Sequence, residues 1–563
     1  VRIFCLIALA LSTTALQAAP AIFPLKDVRA GQHGVGRTVF SGRKVEEFQV
    51  EILGVLENVG PRESIILAKL SGGPLAETGV MQGMSGSPVY IDGKLAGAVA
   101  LGFPLSKEAI AGIRPIEDML RVDPAAKVAS IPRKRENFLA GNARLEEIAT
   151  PVSFSGFTAA TLEHFGRQLR DLGLDPRQGI SGGGDPPRAL GNPKDIEAGS
   201  MISVQLLSGD MSMGADGTVT YIDGDHIYAF GHRFLDEGAT EMPFARSEVL
   251  ALLPNVSSSF KISTAREWMG TITEDRNQAI SGLMGRRAAT VPIEIRVGTN
   301  SYHMRMIQNR VMTPLVMQMA VFSALDETER GIGPSTFSIR GHIDFEGGSV
   351  RVDNVYSGDV STSALAAMGV TSPLSYALGS GFDALKLKNV ALEIGEVNHR
   401  DQWQIADMVA PRQARAGDDV ELMLTLAGDN GVETVKKVRY RIPIGAEPGV
   451  LYFTAADSTT TNLVEFQSAI GVPMHSAGQV LAMLNSLRGN TKTYIRVWRA
   501  EQAFTVDGRD LPSPPPSLAM MLNRMQPGAN LANWHGSKLA EIEIASGDRV
   551  VTGSKTIQVE VKE

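Results

Sequence analysis

The stretch TGVMQGMSGSPVYIDGKLAGAVALGF, residues 78–103, sets Gly83-Met84-Ser85-Gly86-Ser87-Pro88 between two apolar runs. Two physical readings compete for it. Glycine and serine relieve backbone strain where a chain reverses, which makes the segment a tight turn. The same composition suits a nucleophile carried on a turn, with spare backbone N–H groups to hold an oxyanion. The flanks decide its setting. SPVYI and LAGAVALGF bracket Asp92-Gly93, a strong hairpin signal. Upstream, in EEFQVEILGV, Phe48, Val50 and Ile52 alternate with Glu47, Gln49 and Glu51, the period-two pattern of a half-buried strand, and SIILAKL (64–70) reads as the next strand. The serine turn is therefore a connection within a β-sheet.

A chain of 563 residues exceeds one hydrophobic core, and about 150 residues per domain implies three or four. Its 43% hydrophobic and 20% charged residues, with Gly 58 and Pro 29, fit a folded, turn-rich β protein. A net charge of -7 gives no basis for a nucleic-acid partner, and Arg133-Lys134-Arg135 reads as a solvated linker. The start, VRIFCLIALALSTTALQAAPAIFPL, carries Arg2, an apolar run from Ile3 to Leu16 and a small-residue exit at Gln17-Ala18-Ala19. This predicts a signal peptide over 1–19, export to the periplasm or the extracellular space, and no membrane span after its removal. Cys5, the single cysteine, lies inside it, so the mature chain is expected to lack disulfides and thiolate metal sites.

A polar, proline-bearing break follows the first β unit (20–122). In TAATLEHFGRQLRDLG, Leu162, Phe165, Leu169 and Leu172 recur at helical spacing, with Thr158 to cap the start and Gly173 the end. ISGGGDPPRALGNP (180–193) reads as a loop, which closes a linker over 123–194. A second β unit over 195–345 contains GTVTYI and HIYAFG joined by Asp223-Gly224-Asp225, with His232 directly after the second strand, and a helix opening at Thr313-Pro314. MPFARSEVLALLPNVSSSFKIS (242–263) reads as a capped helix and a strand; its Ser257-Ser258-Ser259 are alternative lining for a groove. Beyond it, DVELMLTL and VKKVRYRIPI around GDNG predict a hairpin of an immunoglobulin-like sandwich over 346–450, and a mixed α/β region fills 451–563.

Serine is a poor nucleophile at neutral pH and needs an adjacent base, most often imidazole. Ser85 and His232 are the candidate pair, with His226 competing as base. The pair of long motifs, "TGVMQGMSGSPVYIDGKLAGAVALGF…IAGIRPIEDML" and "GTVTYIDGDHIYAFGHRFLDEG", resembles the two halves of the sporulation stage IV B (SpoIVB) serine peptidase family. The resemblance implies a mainly β fold with a chymotrypsin-like barrel unit formed by two segments. It implies that Ser85 attacks, that Gly231-His232 supplies the base, and that backbone N–H groups of Gly83, Met84 and Ser85 form the oxyanion hole. The halves stand in permuted order here, Ser85 preceding His232, which a site defined by geometry tolerates. The family's aspartate position falls at Leu70-Ser71, where there is no acid, and its threonine is replaced by Ala100. Asp236, ranked before Asp225 and Glu77, is the candidate to orient His232, and a Ser-His dyad is the alternative. The expected function is an exported serine endopeptidase acting through an acyl-enzyme, without cofactor or metal, on a polypeptide that is a cell-envelope protein or its own chain. The competing expectation is an inactive peptidase-fold scaffold of the cell envelope.

Overall fold

The computed structural model describes residues 21–60, 63–121, 137–140, 143–179, 187–328, 333–469, 474–506, 509–512, 514–524 and 531–563. The signal-peptide expectation, the Arg133–Arg135 run and the SGGG segment lie outside these residues. The alternation that marks EEFQVEILGV is realised in the first barrel, where Phe48, Val50 and Ile52 face the core and Glu47, Gln49 and Glu51 face solvent. Its strands are β1 (His33–Ser41), β2 (Lys44–Gly60), β3 (Glu63–Ser71), β4 (Pro88–Ile91), β5 (Lys94–Gly102) and β6 (Ile110–Pro115). They pair antiparallel in the order β4-β1-β2-β3-β6-β5, and β4 also pairs β5, so the sheet closes on itself and those six strands leave no unpaired edge in the ring. Asp92 and Gly93, with φ of 50° and 73°, form the expected tight turn between β4 and β5. A hairpin, β7 (Asn137–Ala140) and β8 (Ala143–Glu147), extends the sheet from β5.

A helix, Ala159–Asp171, links β9 (Thr150–Ser155) to β10 (Leu174–Gln178), and the Thr158 hydroxyl caps it by accepting the Thr161 N–H. The second barrel follows: β11 (Met201–Gly209), β12 (Ser212–Asp223), β13 (His226–Ala229), β14 (Gly238–Leu253), β15 (Phe260–Arg276) and β16 (Ala279–Met284). These also pair antiparallel around a ring, β12-β13-β16-β15-β14-β11, closed by β11 on β12. The helix expected within 242–263 is instead the hairpin of β14 and β15, strands of 16 and 17 residues. Met242 and Phe244 point into the barrel at period two, and long cross-strand pairing overrides the local helical preference of SEVLALL.

The sheet of the second barrel continues through β17 (Val291–Val297), β18 (Asn300–Met306), β19 (Ser335–Phe345), β20 (Gly348–Gly358) and β21 (Leu387–Val397). Position 346, expected to open the sandwich, is thus the turn between β19 and β20. Two apolar helices, Met312–Thr328 and Thr362–Gly379, share one core with this sheet. The sandwich proper begins at Gln402. The hairpin Asp419–Gly428 and Glu433–Arg441, with Gln402–Val409 and Val550–Thr552, forms one sheet, and strands between Gln413 and Lys562 form the other. Leu422, Leu424, Phe453, Val497 and Val559 fill the space between them. Strand outweighs helix, 54% to 19%, so the chain is mainly β, with a chymotrypsin-like barrel and sandwich as the sequence implies.

Candidate active site

The serine loop leaves barrel one after a single helical turn, Leu75–Thr78, and is held from below by Met81 and Met84, both fully buried in the barrel core. Two glycines shape it. Gly83 and Gly86 have φ of 91° and 92°, a region that residues with a Cβ avoid. The loop spends its polar groups unevenly. Met84 N–H donates to the Met81 carbonyl at 3.1 Å, Gly86 N–H to Val99 at 2.7 Å and Ser87 N–H to Met84 at 2.9 Å. Met84 is therefore withdrawn from the expected trio of oxyanion donors. The N–H groups of Gly83 and Ser85 carry no hydrogen bond among the described residues, and Ser85 Oγ is buried without a partner there. Two uncommitted donors flanking an uncommitted hydroxyl are what a developing oxyanion requires.

Strand β12 of barrel two receives this loop. Thr218 N–H donates to the Ser85 carbonyl at 2.9 Å, Thr218 Oγ1 to the Gly83 carbonyl at 2.8 Å and Thr220 Oγ1 to the Gly86 carbonyl at 2.7 Å. Thr218 and Thr220 are two apart, so a strand presents both to the same face. The approach is close enough that a methyl group at Gly86 would stand 2.0 Å from the Thr218 carbonyl oxygen and 2.5 Å from the Phe230 nitrogen. Ser85 adjoins Gly86 and His232 lies two residues past Phe230, so the two sequence motifs meet at one seam between the barrels.

His232 leaves β13 through a strained corner, since Phe230 has φ of 70° although it bears a bulky side chain. Its Nδ1 lies 2.7 Å from the Arg233 carbonyl oxygen, which can only accept, so Nδ1 carries the proton and Nε2 has the basic lone pair. A main-chain carbonyl thus occupies the partner position that a triad carboxylate would hold. Asp236 binds the same turn through Arg233 at 3.9 Å and through Asn277, whose amide nitrogen, oriented to donate, is 3.2 Å from both carboxylate oxygens. His226 and Asp225 pair with each other at 2.9 Å at the exposed far end of β13, and Glu77 is exposed on the helical turn before the loop. Ser257 bonds Asn255 at the β14–β15 tip, whereas the Ser259 carbonyl accepts the Gln82 N–H at 2.9 Å and so borders the serine loop.

Several residues that the sequence reading passed over support this turn. Asp275 is fully buried and accepts the N–H groups of Phe234 at 2.8 Å and Leu235 at 2.6 Å, while burial pushes its carboxyl up to about 6. Arg114, also fully buried, donates from Nε to the Gly231 carbonyl at 3.0 Å and approaches Glu63 and Glu147; Arg233 shares Glu147 at 3.6 Å. Beneath the serine loop, Asp216 accepts from Ser153 and Ser263, and Lys261 donates to Thr38 at 2.8 Å. Burial drives this pair toward neutrality from both sides, Asp216 up to about 6 and Lys261 down to about 7. Their one sequence signal was a charged residue in the inward register of a strand, as in FKIS, where Lys261 and Ser263 alternate with half-buried Phe260 and Ile262.

Antiparallel six-stranded barrels packed against one another are the architecture of the chymotrypsin-like fold class. Residues 3–120 match the family of the SpoIVB peptidase S55, which spans the serine-bearing barrel and supports a serine peptidase of that family. No curated protein and no solved structure matches the chain.

The seam gives two expectations. Gly86→Ala should destabilise the protein by roughly 3–5 kcal/mol through backbone collision and left-handed strain, whereas Gly93→Ala, with nothing within 4 Å, should cost only about 1 kcal/mol; urea unfolding of both variants measures the contrast. For Asp275, a folded-state value raised above its ordinary 3.8 means that folding takes up a proton, so its contribution is full below about pH 4 and is lost as pH rises through about 6. Relative to Asp275→Asn, which does not titrate, wild type should gain about 1.4 kcal/mol of unfolding free energy between about pH 7.5 and about pH 5.

Proposed function

We propose that the protein is an exported serine endopeptidase in which Ser85 is the nucleophile and His232 the general base. The carrying observation is the docking of Gly86 on Thr218 and Phe230, which sets the serine and histidine motifs against one another. In this reading Ser85 Oγ attacks the scissile carbonyl carbon and its proton passes to His232 Nε2. The oxyanion is received by the N–H groups of Gly83 and Ser85, and the proton moves on to the leaving amine. Water, deprotonated by the same imidazole, then releases the acyl group from Ser85. The Arg233 carbonyl keeps the imidazole in the required tautomer, and Asp236 acts as a positioning residue that fixes the Arg233 turn.

Ser85 and His232 are 0% and 2% exposed, so the seam has to part before a polypeptide can enter. That closure favours a peptidase held latent until a partner or substrate opens it, with a cell-envelope protein or the chain's own segments as substrate. It is also the observation that favours the second reading, a peptidase fold retained as an inactive scaffold. Among the described residues no helix is long and apolar enough to cross a membrane.

Hydrolysis of an unstructured polypeptide such as casein, followed by fragment mass spectrometry, separates the readings. The Ser85→Ala variant should fall to background and His232→Ala should lose about 10³-fold or more in rate. Asp236→Ala should lose only about tenfold, because its partner Arg233 is 3.9 Å away and a main-chain carbonyl holds the imidazole. Equal activity in wild type and Ser85→Ala would leave the scaffold reading standing.

A further inference from the structure

Lys261 is a buried lysine placed under the serine loop, and no step of the proposed chemistry uses it. A lysine is seldom buried unless its ammonium is answered, since desolvation penalises the charged form. Here it is 2% exposed. It belongs to β15 of barrel two, yet its Nζ ends on Thr38 Oγ1 of β1 in barrel one at 2.8 Å, and the charge that opposes it is Asp216 of β12. Between those ends its stem runs across Gly83. A methyl group at Gly83 would stand 3.2 Å from Lys261 Cδ, 3.4 Å from Cγ and 3.3 Å from Met201 Cε. The main chain on either side of Phe260 grips the residue before Gly83 too: Gln82 N–H donates to the Ser259 carbonyl at 2.9 Å and Lys261 N–H donates to the Gln82 carbonyl at 3.3 Å.

We propose that Lys261 is a positioning residue of the oxyanion hole, a bolt between the two barrels whose stem and ammonium hold the peptide plane of Gly83 where its N–H can meet the oxyanion. The assignment rests on the serine peptidase reading above. It follows from rigidity: a donor contributes to transition-state stabilisation only while it is held in the geometry the oxyanion needs, and loop peptides are held by what packs beneath them. Gly83 has no side chain of its own to anchor it. Its carbonyl is fixed by Thr218, and the Lys261 stem lines the space that a Cβ at Gly83 would enter. The same residue ties that position to Thr38, so parting of the barrels would release the Gly83 peptide together with the seam.

Two variants separate the ammonium from the stem and from the fold. Lys261→Met keeps an unbranched apolar stem without the charge, and the double variant Lys261→Met/Asp216→Asn also removes the carboxylate that would otherwise stay buried without its cation. Each is compared with wild type by the concentration dependence of labelling with a fluorescent fluorophosphonate, and by amide hydrogen exchange of peptides covering 79–87 and 44–71. The expected result in the double variant is a maximal labelling rate about 10²-fold lower with half-saturating concentration unchanged, and exchange at least about tenfold faster over 79–87 but unaltered over 44–71. Unchanged rate and unchanged exchange in both variants would overturn the assignment while leaving the peptidase reading intact. A wild type that does not label at Ser85 would count against the peptidase reading. The exchange comparison would then decide by itself whether Lys261 holds the loop, and no change over 79–87 would refute it.

Discussion

The contact on which the site depends is one between main chains. Gly86 enters a space that Thr218 and Phe230 leave for a residue without a Cβ, and three hydrogen bonds from Thr218 and Thr220 bind the loop at the carbonyls of Gly83, Ser85 and Gly86. Because the loop belongs to one closed barrel and the receiving strand to another, neither motif is positioned by its own barrel alone. The serine turn acquires its partner only when the barrels associate. The left-handed conformations at Gly83 and Gly86 serve that contact, and the strained φ of Phe230 on the opposing side completes it.

Charged groups buried around the seam determine how firmly it is held. Arg114 reaches from barrel one to the Gly231 carbonyl, Glu147 lies between Arg114 and Arg233, and Asp275 gathers the N–H groups that follow His232. Buried ion pairs of this kind add little net stability, since desolvation offsets most of the attraction, but removing one member leaves an uncompensated charge. Their effect is therefore to permit few arrangements of the 230–237 turn. In the proposed mechanism it is the Arg233 carbonyl, and not an acid at Leu70-Ser71, where the sequence has none, that holds the tautomer of His232.

Barrel one was legible because alternation in EEFQVEILGV and the Asp92-Gly93 turn are local signals, and the Thr158-capped helix likewise carries its cap in sequence. The hairpin of β14 and β15 was not, because SEVLALL has a helical composition and becomes strand only through cross-strand pairing with Phe260 to Ala265 of β15. Ser85 and His232 could be singled out from their glycine-rich settings. Lys261, Asp216, Asp275 and Arg114 could not, for their significance lies in being buried beside segments distant in sequence: Lys261 beside Thr38, Asp275 beside Phe234, Arg114 beside Gly231. The closed state of Ser85 also has no sequence signature.

The central claim is that the seam activates Ser85 through His232. The most direct measurement is fluorophosphonate labelling of the folded protein with the modified residue mapped by mass spectrometry, in wild type and in His232→Ala. Covalent label on Ser85 that is lost when His232 is removed is the predicted result. A folded wild type in which Ser85 remains unmodified, or labelling that is indifferent to His232, would contradict it.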